Sequence, residues 1–282
     1  MPPDHVVVIT ASDLVPEIER ECPGATAVGE PMQRNTAPAI AAASAWFPET
    51  AAFAVLWADH AIDDVAAFTS DFQRAFALAE RENVLVTFGI PATWPETNLG
   101  YIQRGPAFKD GAHRVAAFKE KPDRERAEAW LASGECLWNC GIFVWRRAVF
   151  MDALQAGRPE LARAFRGFSF DGSVAGFESR LREIFPRVEA VSVDHAVLER
   201  APNAVVIEAS FDWDDLGSWN AWAARRRRSG PRPDVAGMWR SRPPSATPAG
   251  RQPTPPGSRH ASCRRPVTPR GSWTGSRRRA WS

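Results

Sequence analysis

Two acidic residues that lie far apart in the sequence could bind a metal ion. Asp59 is the second-last residue of AAFAVLWADH (51–60), which predicts a strand buried on both faces. Asp59 should lie at its carboxyl end, where the ligands of open α/β sheets bind. Asp215 precedes a Leu-Gly-Ser turn in FDWDDLGSWNAW (211–222). Because Mg²⁺ takes one or two carboxylates plus substrate phosphates, these two acids could hold it together. The alternative makes Asp59 a turn cap and leaves the later acids in solvent, and we interpret His60 as structural.

A nucleotide-binding pattern lies in EPMQRNTAPAI (30–40). Glu30 follows an apolar stretch, and Arg34, Asn35 and Thr36 lead into a helix whose N-cap is Asn35 or Thr36. A carboxylate can accept from two adjacent N–H donors, and guanine offers such a pair on its Watson–Crick edge. A helix N-terminus also favours anions. Taken alone, however, the pattern favours a surface loop with an N-cap.

A third pattern, FKEKP (118–122), places charges at the end of an expected strand that Pro122 stops. Glu120 could bind the hydroxyls of a polar substrate, and Lys121 could bind its phosphate. Residues 119 and 121 of a strand face one way and residue 120 faces the other. Taken alone, the tripeptide EKP favours an ordinary charged strand exit over a binding site.

The elements that must position these residues alternate between strands and helices. This rhythm predicts an α/β fold with a doubly wound, mostly parallel sheet. The first part is predicted to contain strands at 5–10, 51–60 and 83–90, and helices at 12–21, 35–47 and 63–82. The helix at 63–82 has the clearest apolar face, formed by Val65, Phe68, Phe72 and Phe76. Further strands are expected at 113–122, 137–146 and 203–209, with a helix at 123–133.

Composition divides the chain at residue 225. Residues 225–282 contain 15 Arg, no Lys and one acid, which leaves 20 of the 35 basic and 32 of the 33 acidic residues in 1–224. The first part is therefore an acidic domain near −12, whereas the second is a basic segment near +14 with ten Pro. We expect a domain at 1–224 and a disordered tail at 225–282, because the tail has too little apolar surface to fold.

Three interpretations of the tail remain: a basic arm for nucleic acid, a solvated segment, or GC-rich coding DNA read out of frame. We favour the last, so nucleic-acid binding is expected only if the tail provides it.

The sequence has no apolar run of eighteen residues and no signal peptide, which argues against a membrane protein and for a cytoplasmic one. Its four Cys lack metal-site spacing and are expected to be reduced.

Six motifs, in this order, resemble the successive signatures of the mannose-1-phosphate guanylyltransferases, a branch of the sugar-nucleotidyltransferases. They are EPMQRNTAPAIA, ADH, TFGIPATWPETNLGYI, FKEKP, LWNCGIFVWR and WDDLGSW, and the resemblance spans residues 5–222. It implies a nucleotide-diphospho-sugar transferase (Rossmann-like) fold that joins GTP and α-D-mannose 1-phosphate to give GDP-mannose and diphosphate, with Mg²⁺ as cofactor.

The resemblance also implies roles for individual residues. The metal ligands would be Asp59 and Asp215, and these with Lys121 would be the catalytic residues. The nucleotide would contact Glu30, Arg34, Asn35 and Thr36. The sugar phosphate would contact Gly100, Tyr101, Glu120, Lys121 and Asn139.

The chain departs from the family at both ends. The family's glycine-rich phosphate loop, G-G-x-G-T-R-L-W-P-L-S-R, does not occur in these 282 residues, and the Arg/Pro-rich tail follows Trp222. We therefore expect the first strand to be missing and guanylyltransferase activity to be low or absent. The alternatives are a transferase for another hexose 1-phosphate and a non-catalytic domain that binds a sugar phosphate; we also consider a homodimer.

Overall fold

The computed structural model describes residues 3–119 and 121–216. Its strands are β1 (Val7–Ala11), β2 (Thr26–Glu30), β3 (Ala52–Val55), β4 (His60–Ala61), β5 (Leu85–Pro91), β6 (Tyr101–Ala107), β7 (His113–Lys119), β8 (Cys136–Arg146), β9 (Ala204–Glu208) and β10 (Asp214–Asp215). Its helices are α1 (Val15–Glu21), α2 (Thr36–Ser44), α3 (Val65–Arg81), α4 (Arg124–Ser133), α5 (Arg147–Gly157), α6 (Pro159–Ala164) and α7 (Val174–Ile184). A π-helical turn follows at Asp194–Leu198.

The α/β class is confirmed, but the pairing of the strands is mixed. The larger sheet has the order β3-β8-β5-β9-β7-β6, while β1 pairs with β2 and β4 pairs with β10. Only β1–β2 and β5–β9 are parallel among the described pairs; the others are antiparallel. The expectation of a mostly parallel sheet is therefore corrected. Its physical reason is that β6 and β7 are joined by a short connection, which allows antiparallel pairing without a crossover helix.

Strand β6, which the sequence did not predict, closes a circuit of paired strands. It pairs with β7 on one side and with β8 on the other, while β9 links β7 to β5 and β5 pairs with β8. Ile102, Leu137 and Val206 pack together between these strands. Gly89 interrupts the register of β5 with β8, and a Cβ there would lie 2.6 Å from Leu137 Cδ1. The glycine therefore permits the close approach of β5 and β8.

The core lies on both faces of β8, because consecutive residues of a strand point to opposite sides. Phe143 and Trp145 belong to a cluster that includes residues of α2, α5 and α7. Cys140, Ile142 and the other even-numbered apolar residues of β8 belong to a second cluster, with α3. Helices therefore cover both faces of the sheet, as expected for a doubly wound α/β fold.

Helix α3 shows where apolar periodicity succeeds and where it fails. Phe68, Phe72 and Phe76 pack against the second cluster, as their spacing predicts. Val65, however, is 65% exposed, so its assignment to the buried face was wrong. It is the first residue of the helix, directly after the N-cap Asp64, and lies beyond the end of the packed face.

The described part of the chain contains no helix that is both long and apolar enough to cross a membrane. The predicted tail (225–282) lies outside the described residues, as does the Gly-Ser turn after Leu216. The boundary at 224/225 therefore stays a prediction.

Candidate active site

Asp59 and Asp215 are brought together by a short antiparallel pairing. Strand β10 places Asp215 opposite His60 of β4, and the Leu216 N–H donates to the Asp59 carbonyl oxygen at 2.8 Å. Burial lowers the pKa of His60, while the carboxylates of Asp59 and Asp215 act in the opposite direction. Both carboxylates thus lie within electrostatic reach of one imidazole, although 156 positions separate them in the sequence.

A third acid, Asp212, holds this pairing in place. Its carboxylate accepts from the N–H groups of Asp63, at 2.9 Å, and Asp64, at 2.7 Å. Two backbone donors before α3 are satisfied in this way, which ties the segment after β4 to the segment before β10. The Trp213 ring contacts the His60 ring edge-on, with 5.2 Å between the ring centroids, so an aromatic residue adjoins the two acids.

The donor set suits a hard divalent cation, which prefers carboxylate oxygens. Among the described residues, no group of three or more His, Cys, Asp or Glu side chains could hold a metal ion by itself. A cation at Asp59 and Asp215 would therefore complete its coordination with oxygens from water or a phosphorylated ligand, in the way that Mg²⁺ usually does.

Three of the residues predicted to contact the hexose, Gly100, Tyr101 and Asn139, lie close together where β6 begins between β7 and β8. Tyr101 lies opposite Lys119 of β7 and opposite Trp138 of β8. The Asn139 N–H donates to the Gly100 carbonyl oxygen at 2.8 Å. The Tyr101 side chain is fully buried, and its hydroxyl donates to the Glu96 carbonyl oxygen at 2.9 Å. Any approach of Tyr101 to a ligand is therefore through its backbone.

Lys121 follows β7 and has an unusual backbone conformation. Its φ of 27° is positive, which costs a non-glycine residue about 1–3 kcal/mol and is found mainly where the surroundings impose it. The side chain is exposed. Glu120, the residue predicted to bind sugar hydroxyls, lies outside the described residues.

The Asn139 side chain is held at both ends. Its Nδ2 donates to Asp194 Oδ1 at 3.0 Å, and its Oδ1 accepts from the Gly141 N–H at 3.1 Å. Burial raises the pKa of Asp194, and the hydrogen bond from Asn139 partly opposes that effect. Gly141 has a φ of 71°, and a Cβ there would overlap Nε1 of Trp57, the residue two positions before Asp59. Trp57 therefore links the turn that contains Asp59 to β8.

Glu30 has a carboxylate oxygen that no hydrogen-bond donor satisfies among the described residues. This atom, Oε2, is buried. Burial raises the pKa of Glu30, as expected for a carboxylate removed from water without compensation. A ligand with two adjacent N–H donors would satisfy this carboxylate, which supports the expected guanine contact.

Each of the three residues predicted beside Glu30 has at least one polar side-chain atom engaged within the protein. The Arg34 guanidinium donates to the carbonyl oxygens of residues 185 and 186, at 2.8 and 3.2 Å. Asn35 is the N-cap of α2 and accepts from the Thr36 N–H at 2.8 Å. Thr36 Oγ1 accepts from the Val193 N–H at 2.8 Å. These contacts fix the start of α2, so Glu30 is the strongest candidate here for direct recognition.

Sequence reasoning assigned no role to four residues that organise the site: Trp57, Glu96, Asp194 and Asp212. Glu96 Oε1 accepts from the N–H groups of Thr97 and Asn98, both at 2.9 Å, and Oε2 accepts from Trp94 Nε1 at 3.1 Å. The available signal for such a loop was the run Glu96-Thr97-Asn98, which lies between Pro95 and Gly100. For Asp194, the signal was a single acid within the apolar run VSVDHAVL.

Residues 4–228 match the sequence profile of the family described as nucleotidyl transferase, which is well over half of the chain. The chain belongs to the nucleotidyl transferase family. Among curated nucleotidyl transferases, it is 44% identical over 199 residues to a mannose-1-phosphate guanylyltransferase of Klebsiella pneumoniae and 41% identical over 202 residues to one of Escherichia coli K12. Each match covers 68% of this chain but only 42% of the relative, so the chain spans about two fifths of their length.

Solved structures agree with the nucleotidyl transferase fold. A Thermus thermophilus protein described as a mannose-1-phosphate geranyltransferase superimposes with a TM-score of 0.69 at 28% identity, over 78% of this chain and 64% of that one. A Helicobacter pylori protein described as a mannose-6-phosphate isomerase gives 0.62 at 26% identity, over 75% and 85%. The nucleotide-diphospho-sugar transferase fold that the resemblance implied is thus confirmed, with the mixed strand pairing described above.

Proposed function

We propose that this chain carries the sugar-nucleotide site of a mannose-1-phosphate guanylyltransferase, which converts GTP and α-D-mannose 1-phosphate into GDP-mannose and diphosphate. The observation that carries the proposal is the β4–β10 pairing, which brings Asp59 and Asp215 to one place. The names of the curated relatives support the choice of substrates.

In this reaction an oxygen of the sugar phosphate attacks the α-phosphorus of GTP, and diphosphate leaves. The protein contributes mostly position and charge. Asp59 and Asp215 would hold Mg²⁺, which neutralises charge on the phosphates when bound. Lys121 would meet the sugar phosphate as a positive point charge, while Glu30 would accept from the two N–H donors of guanine. Gly100 and Asn139, whose backbones are hydrogen-bonded to each other, would contact the hexose, as the resemblance implies.

The test uses D59N and D215N, which remove one negative charge each and keep side-chain volume. Each variant should weaken Mg²⁺-dependent GTP binding at least tenfold, because a carboxylate ligand is lost. Binding is measured by calorimetry with and without Mg²⁺, and diphosphate release is measured in parallel. D152N, which alters an exposed carboxylate of α5, is the control and should bind as the unmodified chain does. Equal Mg²⁺ dependence in all four proteins would exclude the metal site.

The nucleotide and sugar specificities are tested separately. GTP should raise the melting temperature more than UTP does, and mannose 1-phosphate more than glucose 1-phosphate. A larger shift with UTP or with glucose 1-phosphate would assign the chain to another hexose 1-phosphate nucleotidyltransferase. Stabilisation by a sugar phosphate alone, with no effect of any nucleotide, would indicate a domain that binds but does not catalyse.

A further inference from the structure

We propose that Asp194 is a positioning residue that fixes the Asn139 amide for contact with the hexose and joins that contact to the nucleotide side of the site. The inference rests on the proposed function, because it assumes that Asn139 meets the sugar. Asp194 itself acts through Asn139 rather than on the substrate.

The hydrogen bonds of Asn139 determine how its amide is oriented. With Oδ1 accepting from Gly141 and one N–H of Nδ2 donating to Asp194, the oxygen and nitrogen cannot be exchanged without losing both bonds. An amide nitrogen has two N–H groups, so the second is available to a hydroxyl of a bound sugar. A carboxylate accepts more strongly than a neutral group, which makes Asp194 well suited to hold the amide.

Asp194 is itself fixed by the start of α2. It is the first residue of the π-helical turn, a rare conformation that is frequent at functional sites. The residue before it, Val193, donates its N–H to Thr36 Oγ1. Two residues earlier, the Val191 carbonyl oxygen accepts from the Ala37 N–H at 3.1 Å. The turn therefore cannot shift without disturbing the helix that follows Glu30.

These contacts form one continuous path from Thr36 through Val193 and Asp194 to Asn139, and then to Gly100. Its two ends lie in the motifs proposed for the nucleotide and for the hexose. No residue of the path is charged except Asp194. Removal of its carboxylate should therefore release the Asn139 amide and leave the remaining path to be held by backbone contacts.

The experiment is a double-mutant cycle of D194A and N139A in the full 282-residue chain with Mg²⁺. D194A should weaken mannose 1-phosphate binding about tenfold, since a hydrogen bond to a charged acceptor is lost, and should change GTP binding less than about twofold. In the N139A background, D194A should have no further effect on mannose 1-phosphate, because the group it positions is absent. D194N, whose amide oxygen can still accept from Nδ2, should recover most of the affinity.

The outcomes separate the possible failures. An undiminished effect of D194A in the N139A background, or unchanged binding by D194A alone, would overturn the positioning role. A parallel loss of GTP and mannose 1-phosphate binding in D194N, together with a lower melting temperature, would show a purely structural role and also overturn it. If the unmodified chain binds GTP but neither mannose 1-phosphate nor glucose 1-phosphate, the proposed function itself fails.

Discussion

Three acids of the candidate site differ in what surrounds their carboxylates. Glu30 has a buried oxygen without a partner among the described residues, Asp194 accepts from Asn139, and Glu96 accepts from three residues of its own loop. Burial raises the pKa of Glu30 and of Asp194. At Glu96 burial also acts to raise the pKa, but the hydrogen bonds from Asn98, Trp94 and Thr97 outweigh it and the pKa is lowered. Glu30, whose buried oxygen has no partner among the described residues, is therefore the candidate of the three for ligand binding, whereas Asp194 is engaged by Asn139 and Glu96 stabilises its own loop.

Glu30→Gln should separate stability from binding. Because the folded-state pKa of Glu30 is raised, its ionisation destabilises the fold as the pH rises through that pKa. At pH 7 the variant should therefore be at least as stable as the unmodified chain to urea, yet bind GTP at least about tenfold more weakly, having lost a charged acceptor. Glu178→Gln is the control: it keeps an acceptor for the Gly29 N–H and should leave GTP binding unchanged. Retained GTP affinity in the Glu30 variant would contradict guanine recognition.

Glu96→Gln should have the opposite pH dependence. A lowered folded-state pKa contributes stability that is present above the unfolded pKa and is lost as the pH falls through the folded pKa. The variant should lose on the order of 1 kcal/mol in the free energy of unfolding at pH 7, a modest value because the loop is partly exposed. The difference should shrink below pH of about 4. Urea unfolding at both pH values measures it, with the exposed Glu19→Gln as control; a pH-independent difference would argue against this origin.

At the scale of elements, sequence patterns located most strands and helices to within a few residues. Strand β6 was missed because YIQRGPA contains Gly, Pro and two polar residues and is half exposed, so neither alternation nor an apolar run marks it. Helix α1 begins three residues later than expected, at Val15, and the Ser12 hydroxyl donates to the Glu30 carbonyl oxygen. Both errors arise from contacts with distant strands, which local propensity cannot register.

The contact between Gly141 and Trp57 predicts a strong effect of Gly141→Ala. The methyl group would overlap the indole, and alanine would be strained at a φ of 71°. Gly134→Ala is a matched control, since its φ is 66° and no atom lies within 4 Å of the added Cβ. The control should cost about 1 kcal/mol from backbone strain, and Gly141→Ala about 2–4 kcal/mol. Equal losses in thermal unfolding would show that the indole moves aside freely; adding Trp57→Ala should relieve only the steric part.

At the scale of the whole molecule, the sequence showed the motifs, but not which of their residues come into contact in the fold. The pairs 59–215, 139–194 and 57–141 depend on how the sheet closes, and mixed pairing was not expected from alternating elements. The resemblance to a known family placed Asp59 and Asp215 in one site, which composition and periodicity could not do. Residues that only hold others in place, such as Asp212, have no pattern of their own because one acid satisfying two backbone donors looks like any surface acid.

Cysteine labelling should report the stability of the whole sheet. Cys140 lies in β8 between strands β5 and β6, and burial raises its pKa to about 12, so almost no thiolate forms at pH 8. Iodoacetamide should therefore modify exposed Cys22 within minutes and Cys140 only at the rate of global unfolding. Peptide mass spectrometry resolves the two sites, and urea should accelerate only the second. Similar labelling rates without urea would show that β8 opens locally.

The position of β9 in the sheet has a consequence for synthesis on the ribosome. This strand comes last among the six in the sequence, yet it lies between β5 and β7. Until residues 204–208 leave the exit tunnel, β5 and β7 each lack a neighbour, and about two hundred translated residues cannot complete their sheet. Nascent chains that lack residues 204–208 should expose unpaired, apolar edges of β5 and β7, and chaperones that recognise such edges should bind these chains. The larger sheet can therefore be completed only after β9, a five-residue strand, has been translated.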